Sequence, residues 1–145
     1  MAFYPLTMTM QFVIHNWYLF VALGVILFLL VMGPLSQHLH GIKNANAAQT
    51  VQLLNREDGV VVDVCEPKEF QAGHIPNAVN LPLSALSNRL RELDKFKTKP
   101  VIVTCRAGNR SMKGAVILRK HGFATVYNLS GGLLAWEKDN LPVEK

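Results

Sequence analysis

The sequence predicts an α/β domain built on a mostly parallel sheet and preceded by one transmembrane helix. Three observations carry this reading. Residues Met1 to Ile42 contain no Lys, Arg, Asp or Glu, so every formal charge, including the net +5, falls between Lys43 and Lys145. Within that uncharged region Trp17 to Leu35 is continuously apolar. Beyond it, β-branched runs alternate with helix-like stretches and no hairpin signal lies between the runs, the pattern of strands joined by helical crossovers.

Residues 1–35 are assigned to an N-terminal tail and the transmembrane helix. At 1.5 Å per helical residue, WYLFVALGVILFLLVMGPL reaches about 28 Å, close to the hydrocarbon thickness of a bilayer. Trp17 and Tyr18 stand at one boundary, where amphipathic rings favour the headgroups, and Gly33 and Pro34 mark the other. The rival is a cleaved signal peptide, because Ala45-Asn46-Ala47 has small residues at cleavage-site spacing. Against it, residues 1 to 16 carry no cationic segment, and the apolar run is too long and ends well before Ala47. Lys43 and Arg56 follow the helix, which places the C-terminal domain in the cytoplasm of a single-pass inner-membrane protein. Residues 36–46, SQHLHGIKNAN, read as a polar tether. His38 and His40 lack nearby Cys, Asp or Glu, so no metal site is expected there.

The domain proper is expected over residues 47–142. Ala47 to Glu57 suits a helix with Val51, Leu53 and Leu54 to bury. Val60 to Val64 is a β-branched run of the kind buried on both faces of a sheet. Pro67 to Gln71 opens with proline at a helix start, Ala78 to Leu81 suits a short strand, and Ser84 to Asp94 suits a helix. Val101 to Thr104 is a second buried strand, Ser111 to His121 a helix, Thr125 to Leu129 a third strand and Gly131 to Asp139 a final helix. No clustered Lys/Arg stripe with interleaved aromatics is present, which argues against nucleic-acid binding. The modest positive charge suits contact with an anionic lipid bilayer.

In such sheets ligands bind beyond the carboxyl ends of the strands, and Cys105 stands at one. The loop CRAGNRS that follows it supplies convergent backbone amides and a helix start, both of which favour a thiolate. Gly108 gives the backbone freedom to turn those amides inward, and Arg106 and Arg110 add charge at the rim or tie the loop into the scaffold. A small buried cysteine at a strand end is the plain alternative.

Four segments, VVVDVCEPKEF, AGHIPNAVNLPL, VIVTCRAGNRS and NLSGGLLAW, occur in the order found in rhodanese-like domains and cover nearly all of residues 47–142. The chain thus resembles that family, including its single-domain membrane-anchored bacterial members. The resemblance implies a three-layer sandwich around a parallel sheet and a sulfurtransferase without a cofactor. Cys105 would be the nucleophile that carries a sulfane sulfur as a persulfide. Arg106, Ala107, Gly108, Asn109 and Arg110 would form its cradle. The donor would be thiosulfate or a persulfide such as glutathione persulfide, and the acceptor a small or protein thiol. Four residues separate Cys105 from Arg110, whereas cysteine phosphatases on the same scaffold place five, and a tighter amide ring suits a single sulfur better than a phosphate. Asp63, His74 and Trp136 match framework positions. The alternative reading is a membrane-tethered interaction module on the same scaffold.

One position departs from the family pattern. Many members read Asp-Val-Arg where this chain reads Asp63-Val64-Cys65. Cys65 is either a buried replacement for that arginine or a resolving thiol within bridging range of Cys105.

Overall fold

The computed structural model describes residues 4–145, so the first three residues of the tail lie outside the described residues, as does the side chain of His38. The chain forms two compact units, residues Met1–Ser36 and Gln37–Lys145. The first holds helix α1 (Tyr4–His15) and most of helix α2 (Trp17–Leu39). Trp17–Leu35 has a mean hydropathy of 2.5 and is long enough to cross a bilayer. α2 continues through Pro34, where the expected end lay, because one lost backbone donor bends or weakens a helix without having to stop it.

The second unit is a five-stranded, wholly parallel sheet in the order β1-β5-β4-β2-β3. Its strands are β1 (Lys43–Ala45), β2 (Val60–Asp63), β3 (Val79–Asn80), β4 (Pro100–Thr104) and β5 (Thr125–Leu129). The predicted α/β layering is present: alternate residues of β2 and β4 bury on opposite faces, as a period of two requires. Val62, Val64, Val101 and Val103 pack with Leu86, Leu93, Leu118 and Phe123 on one side. Val61 and Ile102 pack with Leu53, Ile75, Leu133 and Trp136 on the other. Helix α6 (Asn109–Lys120) contributes Leu118 to the first layer, while α3 (Ala47–Arg56) and α7 (Gly132–Lys138) contribute Leu53 and Trp136 to the second.

Residues 43–45, read from sequence as tether, are strand β1. Lys43 to Ala45 pair with Tyr127 to Leu129 along the sheet edge, a contact that a polar three-residue strand does not announce by hydropathy. Arg119 fixes the approach to it, donating from Nε to the His40 carbonyl at 3.0 Å and from Nη1 to the Phe123 and Ala124 carbonyls at 2.7 Å each. Asn46 then starts α3 with a reciprocal cap: its Oδ1 accepts from Gln49 N at 2.8 Å, and its own N–H donates to Gln49 Oε1 at 2.9 Å.

The helix expected over Ser84 to Asp94 is instead two pieces, α5 (Leu83–Leu86) and a 3₁₀ segment Leu90–Phe96. Leu86, Leu90 and Leu93 all face the core from these two pieces. The interruption comes at Asn88 and Arg89, whose N–H groups both turn back to the Ala85 carbonyl. The remaining helix, α4 (Pro67–Ala72), begins at Pro67 as expected.

Candidate active site

Cys105 follows the last residue of β4, near the centre of the sheet, and α6 begins four residues later. Gly108 makes this short turn feasible: its φ is +101°, a left-handed conformation that side chains disfavour. Its N–H thereby points inward and donates to Cys105 Sγ at 3.0 Å. Burial pushes the Cys105 thiol up. The Ser111 hydroxyl and the N–H groups of Ser111, Gly108 and Ala107 outweigh burial and hold it below its ordinary value. Cys105 itself is 1 % exposed, so this stabilisation acts in a largely water-free setting.

Of the sequence-predicted residues, Gly108 and Ala107 turn backbone N–H groups toward the sulfur, while the two arginines stand differently. Arg110 is committed to α4: Nη1 and Nη2 reach the Glu69 oxygens at 2.8 and 2.9 Å in a two-pronged pair. Arg110 holds the Glu69 carboxyl down at about 2, helped by the Glu66 N–H. Arg106 is exposed at the outer edge of the loop, as are Ala107 and Asn109. A polar cleft of about 500 Å³ opens beside the loop, lined by Asn44, Gly108, Asn109, Lys113 and Asn128 among others. A more apolar groove of about 560 Å³ includes Gly59, Val60, Phe96 and Trp136, near the opposite end of β2.

Three participants are absent from the sequence-predicted set. Glu69 anchors Arg110. Ser111 places Oγ 3.3 Å from Sγ and donates to Asn128 Oδ1 at 2.5 Å. Asn128, 6 % exposed on β5, is the only carboxamide within the run TVYNL. A polar residue in a buried β-branched strand was the available signal for it, since such a residue requires a buried partner.

The framework residues take framework positions. Asp63 Oδ1 accepts from Cys65 N at 2.9 Å, and burial pushes the Asp63 carboxyl up. His74 stacks on Phe70 and joins Glu144 through a pair of backbone hydrogen bonds. Trp136 is buried, with Nε1 donating to the Pro142 carbonyl at 2.8 Å. Cys65 and Cys105 are both free thiols, and the Arg110 guanidinium comes to 3.8 Å from Cys65 Sγ.

The Rhodanese-like domain family matches this chain over residues 46–139. Protein YibN of Escherichia coli is 35 % identical over 135 residues, covering 92 % of this chain and 94 % of its own. The thiosulfate sulfurtransferase GlpE of Pseudoalteromonas translucida is 38 % identical over 95 residues, covering 66 % of this chain and 89 % of its own. Among solved structures, a rhodanese-related protein from Thermoplasma volcanium superposes with a TM-score of 0.63 at 31 % identity, covering 70 % of this chain and 97 % of that one. The matched region contains four of the five strands together with the whole cysteine loop, and on that ground the chain belongs to the rhodanese-like domain family.

Proposed function

We propose that this protein is a membrane-anchored sulfurtransferase that carries sulfane sulfur as a persulfide on Cys105. The observation that supports it most directly is the Gly108 N–H aimed at Cys105 Sγ from 3.0 Å, at the start of the twelve-residue helix α6. A donor so placed stabilises a sulfur anion, whether thiolate or persulfide, without having to move when charge develops. Membership of the family and a relative named thiosulfate sulfurtransferase support the reaction class.

In this reading the Cys105 thiolate attacks the outer sulfur of thiosulfate. A new S–S bond forms, the bond between the two thiosulfate sulfurs breaks, and its electron pair leaves with sulfite. An acceptor thiolate then attacks the terminal sulfur of the Cys105 persulfide, and the cleaved S–S pair returns to Cys105 as thiolate. Glutathione persulfide would load the same sulfur with a thiolate leaving group. Arg106, exposed beside the loop, offers its charge to an anionic donor, whereas Arg110 keeps the loop in place through Glu69. The cradle is the run Arg106, Ala107, Gly108, Asn109 and Arg110.

The test is mass spectrometry of the full chain in detergent after incubation with thiosulfate. Wild type is expected to gain one sulfur atom and Cys105→Ser none. A wild-type chain left unmodified by both thiosulfate and a low-molecular-weight persulfide would sink the reading. In this reading α2 is the anchor, and the basic residues Lys43 and Arg56 that follow it support a domain on the cytoplasmic side of the inner membrane. Protease added to sealed inside-out vesicles is therefore expected to digest the domain, and protease added to right-side-out vesicles to spare it. The reverse pattern refutes that orientation.

A further inference from the structure

Cys105, Gly108, Ser111 and Asn128 close a ring of hydrogen bonds. Gly108 N donates to Sγ at 3.0 Å, and Ser111 Oγ lies 3.3 Å from the same sulfur. Ser111 Oγ donates to Asn128 Oδ1 at 2.5 Å, and Asn128 Nδ2 donates to the Gly108 carbonyl at 3.4 Å. Ser111 is 0 % exposed, Cys105 1 % and Asn128 6 %, so these groups depend on one another for partners.

A hydroxyl has one hydrogen to give. While Ser111 gives it to Asn128, only the oxygen lone pairs face the sulfur, and these suit a thiol S–H. When the hydrogen turns to the sulfur it suits a thiolate, but Asn128 Oδ1 then loses its donor. Nor does the amide escape by turning over, because that sets Oδ1 against the Gly108 carbonyl oxygen and loses the Nδ2 bond.

We propose that Asn128 is a positioning residue that governs the ionisation of Cys105 by competing with its sulfur for the Ser111 hydrogen. The inference rests on the proposed sulfur-transfer reading only in that the thiolate is the form which that reaction uses. Among the described residues, Arg110 on α6 interacts electrostatically with Cys105 and pairs with Glu69 on α4, Arg106 lies in the loop, Lys113 lines the cleft beside Gly108 and Asn128, and Asp63 and Cys65 stand at and just beyond the end of β2, where Asp63 pairs with Thr104. All of them stay in place in the variants that test the idea, so the Ser111 hydrogen is the quantity that changes.

Two substitutions at one position should then act in opposite directions. Asn128→Leu, close to isosteric and without an acceptor, frees the hydrogen for the sulfur. Asn128→Asp holds the hydrogen more tightly and adds negative charge. The measurement is the pH profile of Cys105 carboxamidomethylation by iodoacetamide, resolved by peptide mass on the full chain in detergent. On the acid side of the profile the leucine variant is expected to react about tenfold faster than wild type, and the aspartate variant about tenfold slower. Both variants moving in one direction, or neither moving, overturns the inference, and the contribution of the aspartate's own charge is separated by the Ser111→Ala background. Should the leucine variant fail to fold, the aspartate variant decides. Slowing that shrinks in the Ser111→Ala background supports the competition, and slowing that is unchanged there refutes it. Because alkylation needs no sulfur donor, opposite shifts in a chain that never loads sulfur would reject the sulfurtransferase reading and leave this one standing.

Discussion

Gly132→Ala is expected to detach the cysteine loop from α7 and to abolish the selective reactivity of Cys105. Gly132 has a φ of +58°, which an alanine adopts only at a cost of about 1 kcal/mol or more. Sterics add to that. A Cβ at this position would overlap the Cys105 carbonyl oxygen and come within 2.7 Å of the Arg106 carbonyl carbon and oxygen, all of them backbone atoms with no rotamer to change. The same carbonyls accept from Leu133 N at 2.8 Å and Leu134 N at 3.1 Å, so the first turn of α7 cannot retreat without leaving those groups unpaired. The combined cost is about 3 kcal/mol or more, enough to lower the midpoint of thermal unfolding by on the order of 10 °C. Differential scanning calorimetry of the full chain in detergent, alongside Cys105 alkylation, measures both effects. An alanine variant with wild-type midpoint and alkylation rate would show that the loop and α7 are not coupled in this way. Gly114, whose added Cβ would meet only methyl groups of Val64, Val103 and Leu86 at 3.1–3.5 Å, provides a milder comparison.

This dependence on Gly132 shows where the sequence was informative and where it was silent. β2, β4 and β5 were legible because burial on both faces demands near-continuous β-branched runs, and those runs are rare elsewhere in the chain. Cys105 was legible because its strand ends into a charged, glycine-containing loop. β1 was not, since an edge strand of three residues is defined by what it pairs with rather than by its own hydropathy. Glu69 and Asn128 were silent for a related reason. Each lies far along the chain from Cys105, and only the parallel register that sets Val103 beside Asn128 and Asp63 beside Thr104 brings Asn128, and the end of β2 from which α4 and Glu69 follow, to the same end of the sheet. Gly132 belonged to a recognisable segment, GGLLAW, but its role is a distance between two backbones, which no local pattern encodes.

Parallel register also brings the two cysteines to neighbouring strand ends, and there they are expected to behave oppositely. Burial pushes the Cys65 thiol up, the Asp63 carboxylate pushes it further by charge and by hydrogen bonding, and Arg110 only partly offsets them, leaving it at about 12. Cys105 is held below the ordinary thiol value of 9.0 by donors that Cys65 lacks. At neutral pH Cys105 therefore holds far more thiolate than Cys65. Lower basicity also weakens a thiolate as a nucleophile, but by only about half the difference on a logarithmic scale, so Cys105 remains the faster to attack a disulfide. Incubation with bis(2-hydroxyethyl) disulfide at pH 7, read by peptide mass, should therefore leave a mixed disulfide on Cys105 while Cys65 remains free. That adduct also tests the resolving-thiol alternative. If Cys65 is a buried replacement for arginine, the mixed disulfide persists and Cys65→Val leaves its rate of formation unchanged. A resolving thiol would instead displace the reagent and give a Cys65–Cys105 bridge, detected as a linked peptide pair that disappears in Cys65→Val. The raised Cys65 thiol favours persistence, because the sulfur that must attack is the one that Asp63 keeps protonated.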